Sequence, residues 1–266
     1  MKGQIPAPPA LVSPPYDAFV ERYGLHMLKE AGALQLVDGD LALTKDCDLM
    51  LGGKSYNALF RLAENWRHTA PHLMALMDLL DQMARNYGES QRRLDDTDAA
   101  EARRKQEAWT IGASSEFLRS WHSHYDEEGA LVFGQATYAG CIVMLASNAL
   151  SRFCDDLDRP GEPWRKCGRQ FGGRSVGEIV IASANGFRHA DEWAKTRPMT
   201  AKQLKSADVL TSALGALDSS ESQLSPTGRC HEVIRLLAEG EGFDGFNKTI
   251  LGFAHDVAVF CRKPTD

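Results

Sequence analysis

Residues 130–153, ALVFGQATYAGCIVMLASNALSRF, constrain the fold more than any other part of the sequence. The segment is nearly long enough to cross a bilayer. Gln135, Thr137, Ser147 and Asn148 interrupt it, it has no strong basic flank, and it is rich in Gly and Ala. These features predict a central helix, buried on most sides and closely packed, rather than a membrane span. DDLDRPGEP ends it, because Pro160, Gly161 and Pro163 are strong breakers. The acids of DDLD, residues 155–158, are expected to pair with Arg152, Arg159 or Arg165 or to lie exposed, rather than to hold a divalent cation.

A buried central helix needs other helices around it, and the rest of the chain supplies them. Residues 15–32 read as a first amphipathic helix, and 33–54 as a connector with room for a short hairpin. Helical periodicity resumes at Tyr56 with Leu59, Phe60, Ala63 and Trp66. Pro71 is expected to start a new helix, since proline suits a first turn and not an interior. Leu73, Leu76, Met77, Leu80 and Met83 form its apolar stripe. RRLDDTDAAEARRKQEAW reads as a solvated helix, with Asp98 and Glu101 spaced as a capping box, or as a mobile linker. A helix carrying Trp109, Phe117, Leu118 and Trp121 precedes the central one.

After the breakers, a helix is expected from about Ser175 to Thr196, stopping before Pro198. Thr200 and Gln203 make a capping box for the next. Residues 228–239 and 244–263 close the chain, with Phe246, Ile250, Phe253, Val257 and Phe260 on a core face. The fold class is therefore all-α, a helical bundle with an N-terminal extension. Residues 1–54 form the arm, first helix and connector, and 55–266 the helical bundle domain.

Charge and cysteine usage narrow the functions. The net charge of -6 argues against a large phosphate-tracking surface and leaves room for a local basic site. Six scattered cysteines form no CxxC pair, and the proline-containing N-terminus has no apolar leader core. A cytoplasmic protein with reduced thiols and no membrane association is expected. No cofactor or metal is expected either. The rings of His122 and His124 diverge on a helix, the Cys230–His231 pair has no visible partners, and GGRSVGE lacks the lysine and serine or threonine of a P-loop.

SANGFRHADEW, residues 183–193, carries the main functional signal. At about 100° per residue, Val176, Val180, Ala184, Phe187, Ala190 and Ala194 share the core side of a helix. Asn185, Arg188, His189, Glu192 and Trp193 share the other, with Arg188 and Glu192 able to pair. One reading is a solvated face of a non-catalytic helical scaffold or protein-interaction module. The other is a polar site.

ANGFRHADEW, following a long apolar helix, resembles a pattern of HEPN-like proteins, over roughly residues 105–260. The resemblance implies an antiparallel helical bundle that binds RNA or cleaves it without metal, in bacterial defence or toxin-type systems. It also implies a homodimer, in which two motifs meet in one cleft. Asn185 matches the family's polar position and His189 its histidine. The family's arginine, five residues before the histidine, is replaced here by Ala184. The expected catalytic residues are thus His189, Arg188 and Asn185, with Glu192 and Trp193 shaping the substrate site. His189 would move a proton and Arg188 would clamp phosphate. Arg119 with His124, and Arg61 with His68, are secondary candidates.

Overall fold

The computed structural model describes residues 12–30, 36–37, 40–43, 47, 49–108, 112–190, 192, 199–215 and 229–262, and they form an all-α chain. Helix α1 (Tyr16–Arg22) is followed by a 3-10 turn (His26–Lys29). The sequence reading joined these into one helix over 15–32. Gly24, at φ 65°, breaks it. Two strands, β1 (Leu36–Val37) and β2 (Asp40–Leu41), form the short antiparallel hairpin for which the connector had room.

Helix α2 (Lys54–Ala108) runs 55 residues without a stop, and Pro71 lies inside it. The expected break at Pro71 is therefore absent. An interior proline costs about 3 kcal/mol. Trp66, Ala70, Leu73, Met77 and Leu80 on either side of it all reach one core, and their joint burial outweighs that cost at roughly 1.5–3 kcal/mol for each large side chain. Asp98 and Glu101 do not form the expected capping box, because both lie inside α2.

Helix α3 (Ser115–Asp156) likewise merges two expected helices into one of 42 residues. Ser114 caps it by accepting the Phe117 N–H. The two long helices are antiparallel. Arg61 pairs with Asp156, Gln135 donates to the Met83 carbonyl, Tyr87 donates to Glu128, and Ser114 N–H donates to Glu101. By length and composition α3 could cross a membrane, and 33% of its most apolar window is buried. It is less enclosed than the sequence reading expects: Ala139, Ile142, Val143, Ala146 and Leu150 are buried, while Val132 and Phe133 are exposed.

Helix α4 (Glu162–Lys166) and a hairpin of β3 (Gln170–Phe171) and β4 (Arg174–Ser175) lead into α5 (Val176–Arg188). That hairpin was not foreseen. Its Gly172, at φ 56°, packs where a Cβ would strike the Ser212 carbonyl. Helices α6 (Ala201–Leu214), α7 (Cys230–Ala238) and α8 (Gly242–Cys261) complete the described chain. The Thr200–Gln203 capping box forms as expected. Phe246, Ile250, Phe253 and Val257 are buried, but Phe260, on the last turn, is 67% exposed.

Among the described residues a single core cluster joins α1, the first half of α2, the second half of α3, α4, β3 and α5 to α8. A buried polar chain ties three of these together. Trp66 Nε1 donates to Asn247, Asn247 donates to the Tyr23 hydroxyl, and Tyr23 donates to Asp244. The acids of DDLD do form salt pairs. Asp155 pairs with Arg159, while Asp156 and Asp158 reach Arg61 and Lys54 on α2. Beyond Leu80 and before Tyr138 the described residues of the α2–α3 hairpin add nothing to the core cluster and are stitched by polar contacts. In that stretch Ser90 and Arg93 hold Glu127.

Candidate functional site

Helix α5 begins with a capping box in which Ser175 and Glu178 satisfy each other's backbone N–H groups. Its inner face, Val176, Ile179, Val180 and Ala184, is fully buried. Ser183, also buried, donates to Cys230 Sγ, whose thiol is pushed up to about 11, chiefly by burial. That thiol is inert at neutral pH. Ala184 is 0% exposed. An arginine there would place a guanidinium in an apolar core, so the missing family arginine has no room in this register.

The outer face is interrupted at His189, and the expected stretch on to Thr196 lies largely outside the described residues. The regular helix stops at Arg188, and His189 is its C-cap, donating its N–H to the Asn185 carbonyl at 3.1 Å. Asn185 is half-buried and opens into a groove of about 310 Å³ between α4, α5 and α6. Buried Trp164 and Val209 lie at its base, and exposed Arg165, Lys202 and Lys205 line it. Among the described residues these three cations make no ion pair. Among the described residues, Glu178 is the only acid lining the groove, and it is held by Ser175 in the capping box. The groove therefore carries an excess of uncompensated positive charge on an acidic chain.

Arg188 is exposed and reaches the other way, with Nη2 at 3.7 Å from Met144 Sδ on α3. His189 Nδ1 lies 3.1 Å from a Glu192 carboxylate oxygen, and both side chains are accessible, at 41% and 72%. With Nδ1–H donated to that carboxylate, Nε2 is the free basic nitrogen. Neither Arg188 nor His189 lines the groove that Asn185 enters. The structure thus brings His189 and Glu192 together, places Asn185 with Lys202 and Lys205, and sets Arg188 against α3. Trp193 and Ala194 lie outside the described residues.

The secondary candidates separate. Arg61 is held by Asp156 at 3.1 Å, and His68 takes part in contacts with Ser13 and Arg67. Both side chains fasten neighbouring segments. Arg119 is exposed on the α2–α3 hairpin, and His124, half-buried, sits 3.9 Å from Glu127. His122 and His124 are both on α3, so their rings diverge as expected.

Sequence reasoning missed Arg165, Lys202 and Lys205. Each is an ordinary surface cation in its own segment, and only the packing of α6 on α5 gathers them. It also missed a second cavity, of about 670 Å³, between α2, α6 and α7. His231 lines that cavity. Burial, and then the charge of Arg235, hold its imidazole below the ordinary range, against the opposing pull of Glu232 and Asp81.

No protein-family model matches this chain, and no curated protein or solved structure matches it.

Proposed function

We propose that this chain binds single-stranded RNA in the groove between α4, α5 and α6. One observation carries the reading: three cations without ion-pair partners among the described residues, Arg165, Lys202 and Lys205, converge beside Asn185. Flexible lysines and an arginine over a narrow groove suit a phosphate backbone, and Asn185 and Ser206 supply neutral hydrogen-bonding groups. A scaffold role would call for a flat surface or a buried Arg188–Glu192 pair. Instead Arg188 and Glu192 are exposed, and Asn185 from the polar face opens into a groove. Under this reading the chain is a HEPN-like RNA-binding protein of a bacterial defence or toxin-type system.

The test is binding of a short, fluorescently labelled single-stranded RNA, read by anisotropy. Wild type is expected to bind. Lys202→Gln with Lys205→Gln is expected to bind about tenfold more weakly, since each lost phosphate contact removes a counterion-release contribution. Both lysines are exposed, so the variant folds. Absence of binding by wild type, or equal binding by the double variant, overturns the reading.

The His189–Glu192 contact favours a second reading, cleavage at the end of α5. Nε2 would take the proton of a 2′-hydroxyl as its oxygen attacks the adjacent phosphorus. The 5′-oxygen would leave as a hydroxyl, taking a proton from solvent water, and a 2′,3′-cyclic phosphate would remain. Arg188, swung from Met144, would steady the phosphate charge. RNA cleavage in EDTA that disappears in His189→Ala supports this. Its absence in wild type, or its survival in the variant, removes it and leaves the binding reading intact.

A further inference from the structure

The cavity between α2, α6 and α7, about 670 Å³, lies in the size range of small-molecule sites, roughly 300–1,000 Å³. Its walls include Met77 and Leu80 from α2, Leu214 from α6 and Ile234 from α7. Four charged or titratable side chains line it as well: Asp81, His231, Glu232 and Arg235. Glu232 is occupied, because Arg229 donates to both of its carboxylate oxygens, with Nε at 2.8 Å. Asp81 and Arg235 differ from it. Among the described residues neither makes an ion pair with the other or with a third group, although both line the same cavity. One negative and one positive charge thus stand apart on two helices, over an apolar wall. His231, one turn before Arg235 on α7, is half-buried beside them.

A plain anion would meet Asp81 and a plain cation would meet Arg235. A molecule carrying both charges meets neither penalty. We propose that this cavity binds a small zwitterion with an apolar body, an apolar amino acid or short apolar peptide, its carboxylate on Arg235 and its ammonium on Asp81. A guanidinium fork matches a carboxylate in geometry as well as charge, and an ammonium needs only a nearby carboxylate. The apolar body lies against Leu80 and Ile234, and the neutral His231 ring supplies a further hydrogen bond. This inference is independent of the RNA reading and uses a different face of the molecule.

Titration calorimetry on the full chain tests it. The probes are L-phenylalanine and the dipeptide leucyl-phenylalanine, set against phenylacetate, which lacks the ammonium, and phenethylamine, which lacks the carboxylate. At least one zwitterion is expected to bind one-to-one, with phenylacetate and phenethylamine each weaker by about tenfold, equivalent to ~1.4 kcal/mol. Arg235→Gln and Asp81→Asn are each expected to weaken the zwitterion by a similar factor. Both positions are exposed, so the melting temperature should stay put and certify the fold. Absence of zwitterion binding at millimolar concentration overturns the proposal. So does binding that ignores both substitutions, or phenylacetate binding as tightly as the zwitterions.

Discussion

A Cβ placed on Gly140 would lie 2.1 Å from Cε2 of Phe187. The Phe187 ring therefore seats on bare α3 backbone, and the last turn of α5, with Arg188 and the His189 cap, is held by that seat. Gly140→Ala must displace the ring or the helix. The expected cost is about 1–3 kcal/mol, a fall of several degrees in Tm for a chain of this size. Thermal unfolding checks it, and an unchanged Tm would mean the ring relocates freely. Ala184 sets the complementary limit, since its side chain has no exposed surface. Its inward direction was legible from the 100° step alone. The role of Gly140 was not, because its partner lies on another helix and no local pattern marks a glycine that a ring requires.

Helix boundaries show the same division between local and distant causes. The Thr200–Gln203 capping box was legible because all of its atoms belong to one turn. Pro71, and Asp98 with Glu101, were misread because contacts from elsewhere in the chain decide them. Glu101 is the sharper case. Instead of starting a helix, its carboxylate accepts from Arg104 on its own helix and from the backbone and hydroxyl of Ser114, locking the end of α2 to the start of α3. These contacts, the Arg104 hydrogen bond first, lower its pKa from 4.5 to about 2. The unfolded carboxyl takes up a proton at higher pH than the folded one. The lock is thus fully present above pH 4.5 and is lost as pH falls toward 2. Amide protection, measured against the intrinsic exchange rate at each pH, should therefore fall selectively over residues 98–108 and 112–118 in that window. Glu101→Gln should show the lowered protection already at neutral pH, and little further loss of protection on acidification. Equal protection of that segment in the variant and wild type at pH 7 would show that the lock contributes nothing.

At the scale of the whole molecule, the net charge of -6 and the cationic groove oppose each other. A nucleic acid approaching from a distance meets an acidic body, and only within the groove does it meet Arg165, Lys202 and Lys205. Their salt dependences differ. Repulsion from the body acts across solvent and is screened within about 10 Å at 0.1 M salt. Three phosphate contacts on a single strand give a slope of log affinity against log salt of about -2, at roughly 0.7 per contact. Raising salt relaxes the repulsion while it weakens the contacts, so the observed slope should be somewhat shallower than -2. Affinity should fall by no more than about fifteenfold between 50 and 200 mM. In Lys202→Gln with Lys205→Gln the slope should drop below about -0.7 in magnitude, and at low salt repulsion should dominate. Anisotropy titrations at four salt concentrations measure both lines. A slope of -5 or steeper in wild type would mean that RNA tracks a far larger basic surface than this groove. Parallel lines for the two proteins would place the phosphate contacts elsewhere, and the convergence of the three cations would then be a consequence of packing α6 on α5 and nothing more.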